Sequence, residues 1–412
     1  GILLGFPIVW AMMSGCIACL MLEPNLVLTI VPQKVFLGLN NFAFLAIPCF
    51  LLCGDIMARG GLSRRLCDFC NALVGWLKGG LSIVAIIACA IFAAISGSAV
   101  ATTAAIGGIM HPEMVKRGYS SPYSAALPAV AGTLGIIIPP SIVFVIYGNI
   151  TGTSISQLLM AGVVPGVLCA AALCVLAYII ARRRSYDVDQ MFSWRGLGQS
   201  FLRSVFALLM PLIILGGIYA GICTPTEAGS IAVVYSIILG VLYRELGWGE
   251  LKKGLRESVL TTASVLIIVS AASAFSWILT REQIPQKLTA LMTTYIGGKY
   301  AFLVIVNVFL LFVGMFIEGN AALIVLVPLL HPMAVAFGVD PIQFALIFNF
   351  NMAIGAVTPP MGTLMFTVCG ITKCKMKDFI VAGLPFYALA LGCLALLTFV
   401  PVFTLGIVNL VF

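Results

Sequence analysis

Charge is what this sequence has least of. Of its 412 residues, 9% are charged and 62% hydrophobic, and the mean hydropathy is +1.16. A soluble globular domain carries about 25% charged and about 45 to 50% apolar residues, so burial of one core cannot account for this composition. The chain reads as an integral membrane protein. At roughly 20 residues per spanning helix it can cross at most about fifteen times, and its charged loops are too short to fold as separate domains. Histidine is nearly absent, with only His111 and His331. No Cys or His stands at metal-ligand spacing from either, and His111 with Glu113 is the one pair from which an intramembrane enzyme could be built. There is no GxxxxGK[ST] motif, so the chain does not bind ATP in that manner. The net charge is +8, yet no basic run has interleaved aromatics. Nucleic-acid binding is thus unsupported, and Lys and Arg should report membrane topology instead. No signal-peptide pattern is visible, and the start at Gly1 and apolar finish at Phe412 read as trimmed ends. Cysteine is plentiful at thirteen, mostly inside apolar runs, where it acts as a small hydrophobe; Cys67-x-x-Cys70 is a lone, weak motif.

Continuous apolar spans are expected over 2–22, 35–58, 158–181, 205–223, 228–243, 259–279 and 379–402. Two further spans, 123–151 and 344–372, contain Pro139-Pro140 and Pro359-Pro360. A Pro pair removes two backbone donors and pushes the preceding residue out of the α region, so both helices must break and leave carbonyls without helical partners. Two apolar regions, 81–114 and 301–337, are interrupted at Ser96-Gly97-Ser98 and Glu318-Gly319-Asn320. Each flank of about fifteen residues makes a helix of roughly 22 Å, short of the roughly 30 Å hydrocarbon core. Each region is therefore either a re-entrant hairpin or one long crossing.

Basic residues decide between them. With two hairpins, eighteen Lys and Arg fall on one side and four on the other (Lys34, Arg281, Lys287 and Lys299); with two crossings the split is twelve to ten. Only the hairpins satisfy the positive-inside rule. The first then dips in from the cytoplasm and the second from outside.

His111-Pro112 recurs as His331-Pro332, Gly118 as Gly338, Gly135 as Gly355, and Pro139-Pro140 as Pro359-Pro360, all 220 residues apart. This is a duplicated unit, and five crossings between the hairpins invert the second copy. Each unit holds two spans, a short amphipathic helix (62–74 and 285–295), a hairpin, a broken span and a closing span. The expected fold is an all-α membrane protein, an inverted repeat with two re-entrant hairpins and two broken helices. It divides into scaffold parts at 1–78 and 184–299, the latter including the linking span from Val205, and moving parts at 79–183 and 300–412. Inverted repeats with broken helices meeting at mid-membrane are the architecture of secondary transporters.

Glu318 is the single acidic residue placed deep in the membrane, with no Lys or Arg beside it. A coupling ion would be held mainly by neutral oxygens, which suits Na⁺. One set is Ser96 and Ser98 with Gly135, Ile138 and Pro140; the other is Gly319 and Asn320 with Gly355, Thr358 and Pro360. Proton carriage by Glu318 is the competing coupling. Helix N-termini after the two tips would attract an anionic group, with Ser98, Thr102, Thr103, Asn320 and Asn351 as neutral donors, so a carboxylate substrate fits. Each of these side chains could equally serve only as a cap or helix-packing bond.

The runs Ala94-Ile-Ser-Gly-Ser-Ala-Val-Ala101, Ile136-Ile-Ile-Pro-Pro-Ser141 with Tyr147-Gly148, Ala161-Gly-Val-Val-Pro-Gly166 and Arg59-Gly-Gly-Leu-Ser-Arg-Arg65 resemble the large membrane subunit of tripartite ATP-independent periplasmic (TRAP) transporters. So do Thr224-Pro-Thr-Glu-Ala228 and Ala353-Ile-Gly-Ala-Val-Thr-Pro-Pro360, and the likeness covers nearly the whole chain. It implies Na⁺-driven import of an organic acid, typically sialic acid or a C4-dicarboxylate, across a bacterial inner membrane. The implied mechanism is elevator movement of a transport domain against a scaffold. The implied partners are a small membrane subunit of four spans and a periplasmic substrate-binding protein, each a separate polypeptide here. By the family pattern, Ser96, Gly135, Ile138 and Pro140 match one Na⁺ site and Gly355 with Thr358 the other. Thr102 departs from the pattern, since many relatives carry Asp there. A one-component Na⁺- or H⁺-coupled carboxylate symporter or antiporter is the nearest alternative, and it would work without partners.

Overall fold

A computed structural model of the chain describes residues 6–22, 29–184, 186 and 191–412. Residues 2–5 of the first expected span lie outside these. The described residues form α1 (Ile8–Leu22), α2 (Ile30–Leu39), α3 (Ala46–Arg59), α4 (Leu62–Val74), α5 (Gly80–Ser96), α6 (Ala99–Lys116), α7 (Ser121–Gly132), α8 (Leu134–Ile137), α9 (Ile142–Thr151) and α10 (Ile155–Arg183). They continue with α11 (Trp194–Tyr219), α12 (Pro225–Leu242), α13 (Trp248–Arg281), α14 (Ile284–Tyr295), α15 (Lys299–Gly314), α16 (Gly319–Ala336), α17 (Pro341–Gly355), α18 (Thr363–Thr372), α19 (Met376–Phe399) and α20 (Val402–Val411). Among the described residues, eight helices, the broken Ser121–Thr151 run included, are long and apolar enough to cross a bilayer.

Both hairpins form, as α5 with α6 and α15 with α16. Both broken spans form too, as α7–α9 and α17–α18, with cis Pro139–Pro140 and Pro359–Pro360 peptides in the gaps. The amphipathic segments fold as α4 and α14, with Cys67 and Cys70 buried on α4. Two elements differ from expectation. The span expected at 35–58 is split, because Asn41 takes an extended backbone and its side chain accepts the Ala43 amide at 3.1 Å, restarting the chain as a single 3-10 turn before α3. After Pro401, α20 forms where no further helix is expected, packing on α10 and α17.

The helices pack as two sets joined by α4 on α5 and α13 on α16. On one side α12 lies along α3, α13 along α2 and α3, α1 on α13, and α11 against α4 and α12. On the other, α5, α6, α7, α10, α18 and α19 pack together, and α17 is wrapped by α15, α16 and α19. Every residue of α17 is buried except its N-terminal Pro341. α13 has 34 residues, about 50 Å at 1.5 Å per residue, so it overshoots the hydrocarbon core.

The two ends of α13 separate the basic residues by side. At its start Arg59 pairs with Glu250 at 3.0 Å and Glu257 at 2.6 Å, and Arg65 pairs with Glu245 at 2.7 Å while its guanidinium stacks 4.0 Å from the Tyr243 ring. The Glu250 carboxyl is held below the usual range by hydrogen bonds from Lys253 and Arg59. The Arg59–Arg65 run is thus a clasp joining α3–α4 to α12–α13. At the far end Lys34 and Arg281 both face the Trp277 ring, at 5.5 and 5.6 Å. Residues assigned from charge counting to the inside and the outside therefore cluster at opposite ends of one helix.

Each hairpin tip seats directly on a helix break. A Cβ at Gly135 would lie 2.7 Å from the Ser98 carbonyl carbon and oxygen, and one at Gly355 would lie 2.5 Å from the Gly314 carbonyl carbon. Both collisions are with backbone, so no rotamer change relieves them. Gly135→Ala is expected to lower stability by about 1–3 kcal/mol, read as thermal unfolding in detergent. Gly392→Ala, with open space around the new methyl, should be neutral or slightly stabilising; equal effects at the two positions would show that the tip contact is unimportant.

Candidate functional site

The first tip is a tight, internally bonded turn. α5 ends at buried Ser96, Gly97 takes the left-handed conformation (φ +59°), and extended Ser98 caps α6 by accepting the Ala101 amide. Gly97 leaves no room for a side chain against the Pro140 carbonyl, and its own carbonyl accepts the Ile142 amide at 3.4 Å. Ser96 Oγ lies 3.0 Å from Thr102 Oγ1, and Thr102 Oγ1 donates to the Ser98 carbonyl at 2.8 Å. Across from the tip, the residue four positions after Gly135 is Pro139, which has no N–H to give it. Ser141 Oγ donates to the Ile136 carbonyl at 2.6 Å. Among the described residues, the Ile138 and Pro140 carbonyls accept no hydrogen bond. The structure therefore brings Ser96, Ser98, Gly135 and Pro140 together, with Ile138 in extended backbone beside them.

The second tip is built differently. It meets its break through Gly314 and Met315, whose carbonyl accepts the Met361 amide at 3.1 Å, rather than through Gly319 and Asn320. Thr358 Oγ1 turns back onto the Ile354 and Gly355 carbonyls, both at 3.1 Å. The Ala356 carbonyl accepts the Leu364 amide at 2.9 Å, and Pro360 is exposed. Glu318 caps α16: its carboxylate accepts the Ala321 amide at 3.1 Å and the Asn320 side-chain amide at 2.8 Å. The helix N-terminus here is thus partly neutralised by its own cap.

The two tips face one another across a cavity of about 360 Å³. Ser98 lines it from the first tip, Glu318, Gly319 and Asn320 from the second, and Thr261 and Ser264 of α13 from the opposite wall. Of the expected substrate contacts, Ser98 and Asn320 face this space. Thr102 is turned into its own tip, and Thr103 is buried against Gly132. Asn351 is buried in α17, donating to Asn307 Oδ1 and the Ile347 carbonyl, both at 2.7 Å. Sequence reasoning does not single out Thr261 and Ser264; their signal is a helical stripe with Val265 and Ile268 on one face of α13. The histidines lie outside the cavity: His111 Nε2 is 3.1 Å from Ser121 Oγ, and His331 Nδ1 is 2.8 Å from the Tyr147 hydroxyl.

The profile of the family described as "Tripartite ATP-independent periplasmic transporter, DctM component" matches residues 1–403. The C4-dicarboxylate TRAP transporter large permease protein of Pseudomonas aeruginosa is 41% identical over 398 residues, 96% of this chain and 93% of that protein. The sialic acid TRAP transporter large permease protein of Vibrio cholerae is 36% identical over 400 residues, 97% of this chain and 91% of that one. Among solved structures, the Alcanivorax borkumensis YdaH transporter aligns with a TM-score of 0.65 at 14% identity, covering 90% of this chain and 87% of its own, which is a likeness of fold. These relatives are transporter permease subunits, not enzymes, and with eight spanning-length helices they place the chain as a multi-pass protein of the bacterial inner membrane. The chain belongs to the family of large membrane components of tripartite ATP-independent periplasmic transporters.

Proposed function

We propose that this chain imports an organic acid by Na⁺-coupled secondary transport, receiving it from a periplasmic binding protein and working with a small membrane subunit. The observation that carries this reading is the central cavity bounded by two hairpin tips, each seated on a broken helix. Where the first tip meets its break, Gly97 abuts the Pro140 carbonyl and Gly135 abuts Ser98, and among the described residues the Ile138 and Pro140 carbonyls accept no hydrogen bond; we assign these carbonyls with the Ser96 and Ser98 oxygens as one ion site. Neutral oxygens of this kind are ligands for a hard monovalent cation. Thr358 with Gly355 supplies a second such cluster.

A bound cation also answers an electrostatic difficulty in the cavity. Among the described residues Glu318 is the one charged side chain lining it, so an incoming carboxylate meets a like charge unless a cation sits close by or the carboxyl is protonated. Na⁺ at the tips supplies the missing positive charge, and coupling follows because the acid binds well only when the cation is present. The acid's carboxylate would face the N-terminus of α6 beside Ser98, whose amides carry partial positive charge, with Thr261 and Ser264 bonding its hydroxyls. In an elevator cycle the hairpins and broken helices would carry both past α13. Relatives named for C4-dicarboxylate, 2,3-diketo-L-gulonate and sialic acid set the range of candidate acids.

In proteoliposomes holding this chain with its small subunit, uptake of a labelled acid should need both an inward Na⁺ gradient and the binding protein. Uptake without the binding protein would favour a one-component symporter. Uptake driven by a proton gradient without Na⁺ would transfer the coupling to Glu318, and Glu318→Gln would then abolish it. Ser96→Ala and Thr358→Ala should each raise the Na⁺ concentration for half-maximal uptake by roughly fivefold, the equivalent of about 1 kcal/mol for a lost oxygen partner; unchanged Na⁺ dependence in both would remove these residues from the ion sites.

A further inference from the structure

A second cavity, of about 290 Å³, lies in the same seam between α13 and the hairpin helices. Its wall includes Asn40 and Asn41 from the break between α2 and α3, Asn149 near the end of α9, and Ser273 and Ser276 of α13. These positions lie toward the Lys34–Trp277–Arg281 end of α13, so this cavity is on the outer side of the central one. The two share one helical face. Thr261, Ser264, Val265 and Ile268 line the central cavity, and Val269, Ala272, Ser273 and Ser276 continue the same stripe along the outer one. From Ser264 to Ser273 is nine residues, about 13 Å along the axis.

We propose that this outer cavity is a binding station for the organic acid on its way from the periplasmic side to the central cavity, an inference that rests on the transport reading above. Among the described residues its lining offers amides and hydroxyls and no charged side chain, in a region otherwise walled by apolar helices. A polar pocket between apolar helices is filled by a polar occupant, water or a solute that displaces it, because its groups otherwise face hydrocarbon. Asn149 makes the need explicit. Its Oδ1 accepts a hydrogen bond from the Asn41 side-chain amide, while its own Nδ2 is shielded from solvent and has no partner among the described residues. An idle donor beside four other neutral polar side chains suits carboxylate or hydroxyl oxygens. Without a cation or a salt bridge the hold is weak, which suits passage rather than retention.

Asn149→Asp tests this cleanly. The new carboxylate still accepts from Asn41, so the local structure keeps its bond, but the donor is replaced by a negative charge. The complex with its small subunit is reconstituted in proteoliposomes and supplied with binding protein loaded with labelled succinate or labelled N-acetylneuraminate. The concentration of loaded binding protein giving half-maximal uptake should rise about tenfold for an anion meeting one like charge, with the maximal rate and the melting temperature unchanged. Ser276→Ala should shift it in the same direction by a smaller factor. If wild-type protein transports either acid and both variants keep the wild-type half-saturation, or lose maximal rate instead, the outer station is overturned while the transport reading stands. If wild-type protein transports neither acid, nor labelled 2,3-diketo-L-gulonate supplied in the same way, the transport reading fails and this inference with it.

Discussion

Inside a bilayer, a backbone carbonyl that loses its helical partner has no water to turn to. This chain creates that situation twice, at Pro139-Pro140 and Pro359-Pro360. Much of the remaining architecture follows from covering those two breaks. Each hairpin brings its tip onto one of the breaks. Each tip then lies so close to its broken helix that only glycine fits at the contact, Gly135 against Ser98 and Gly355 against Gly314. The two tips leave a gap between them, and that gap is the central cavity. The polar site is a by-product of solving a backbone problem.

The two repeats solve it with different chemistry. Ser98 and Glu318 stand 220 residues apart, and each caps the helix that leaves its tip. The first cap is neutral and the second is acidic. At the first tip Thr102 returns its hydroxyl to the Ser98 carbonyl, whereas the matching position in the second copy is Ala322 and has nothing to return. One backbone design thus presents a neutral, carbonyl-rich face on one side of the cavity and a carboxylate on the other. α13 is the common wall for both, and the Arg59 and Arg65 ion pairs at its N-terminal end clasp it to α3 and α4. Its hydroxyl-bearing face runs beside both cavities, so the same surface meets the hairpins along much of the membrane depth.

Hairpins and breaks are legible in the sequence, because Pro pairs and short apolar flanks each state a physical constraint that acts locally, and the Lys and Arg count foreshadows the basic residues gathered at the two ends of α13. The break at Asn40–Asn41 is not, because an Asn in an apolar run carries no sign of whether it will fold back on its own backbone; only contact with α13 and α9 shows why the chain bends there. α20 is hidden for a similar reason, since its ten residues are too few to declare a span and they are held by packing on α10 and α17. Thr261 and Ser264 do not stand out either, because a hydroxyl on a membrane helix usually bonds its own backbone.

Composition, period and proline placement by themselves determined that the chain spans the membrane many times, that it is duplicated and inverted, and where its helices break. Those properties depend on neighbours in sequence and on the bilayer as solvent. The tertiary structure decided which side chains share a cavity. It put Ser98 and Asn320 there, turned Thr102 and Asn351 away, brought in Thr261 and Ser264 from a helix more than 150 residues from the first tip, and opened a second polar space beside Asn149. Those choices rest on rotation and close approach of helices distant in sequence, set by where glycine allows two backbones to touch, and no local pattern encodes them.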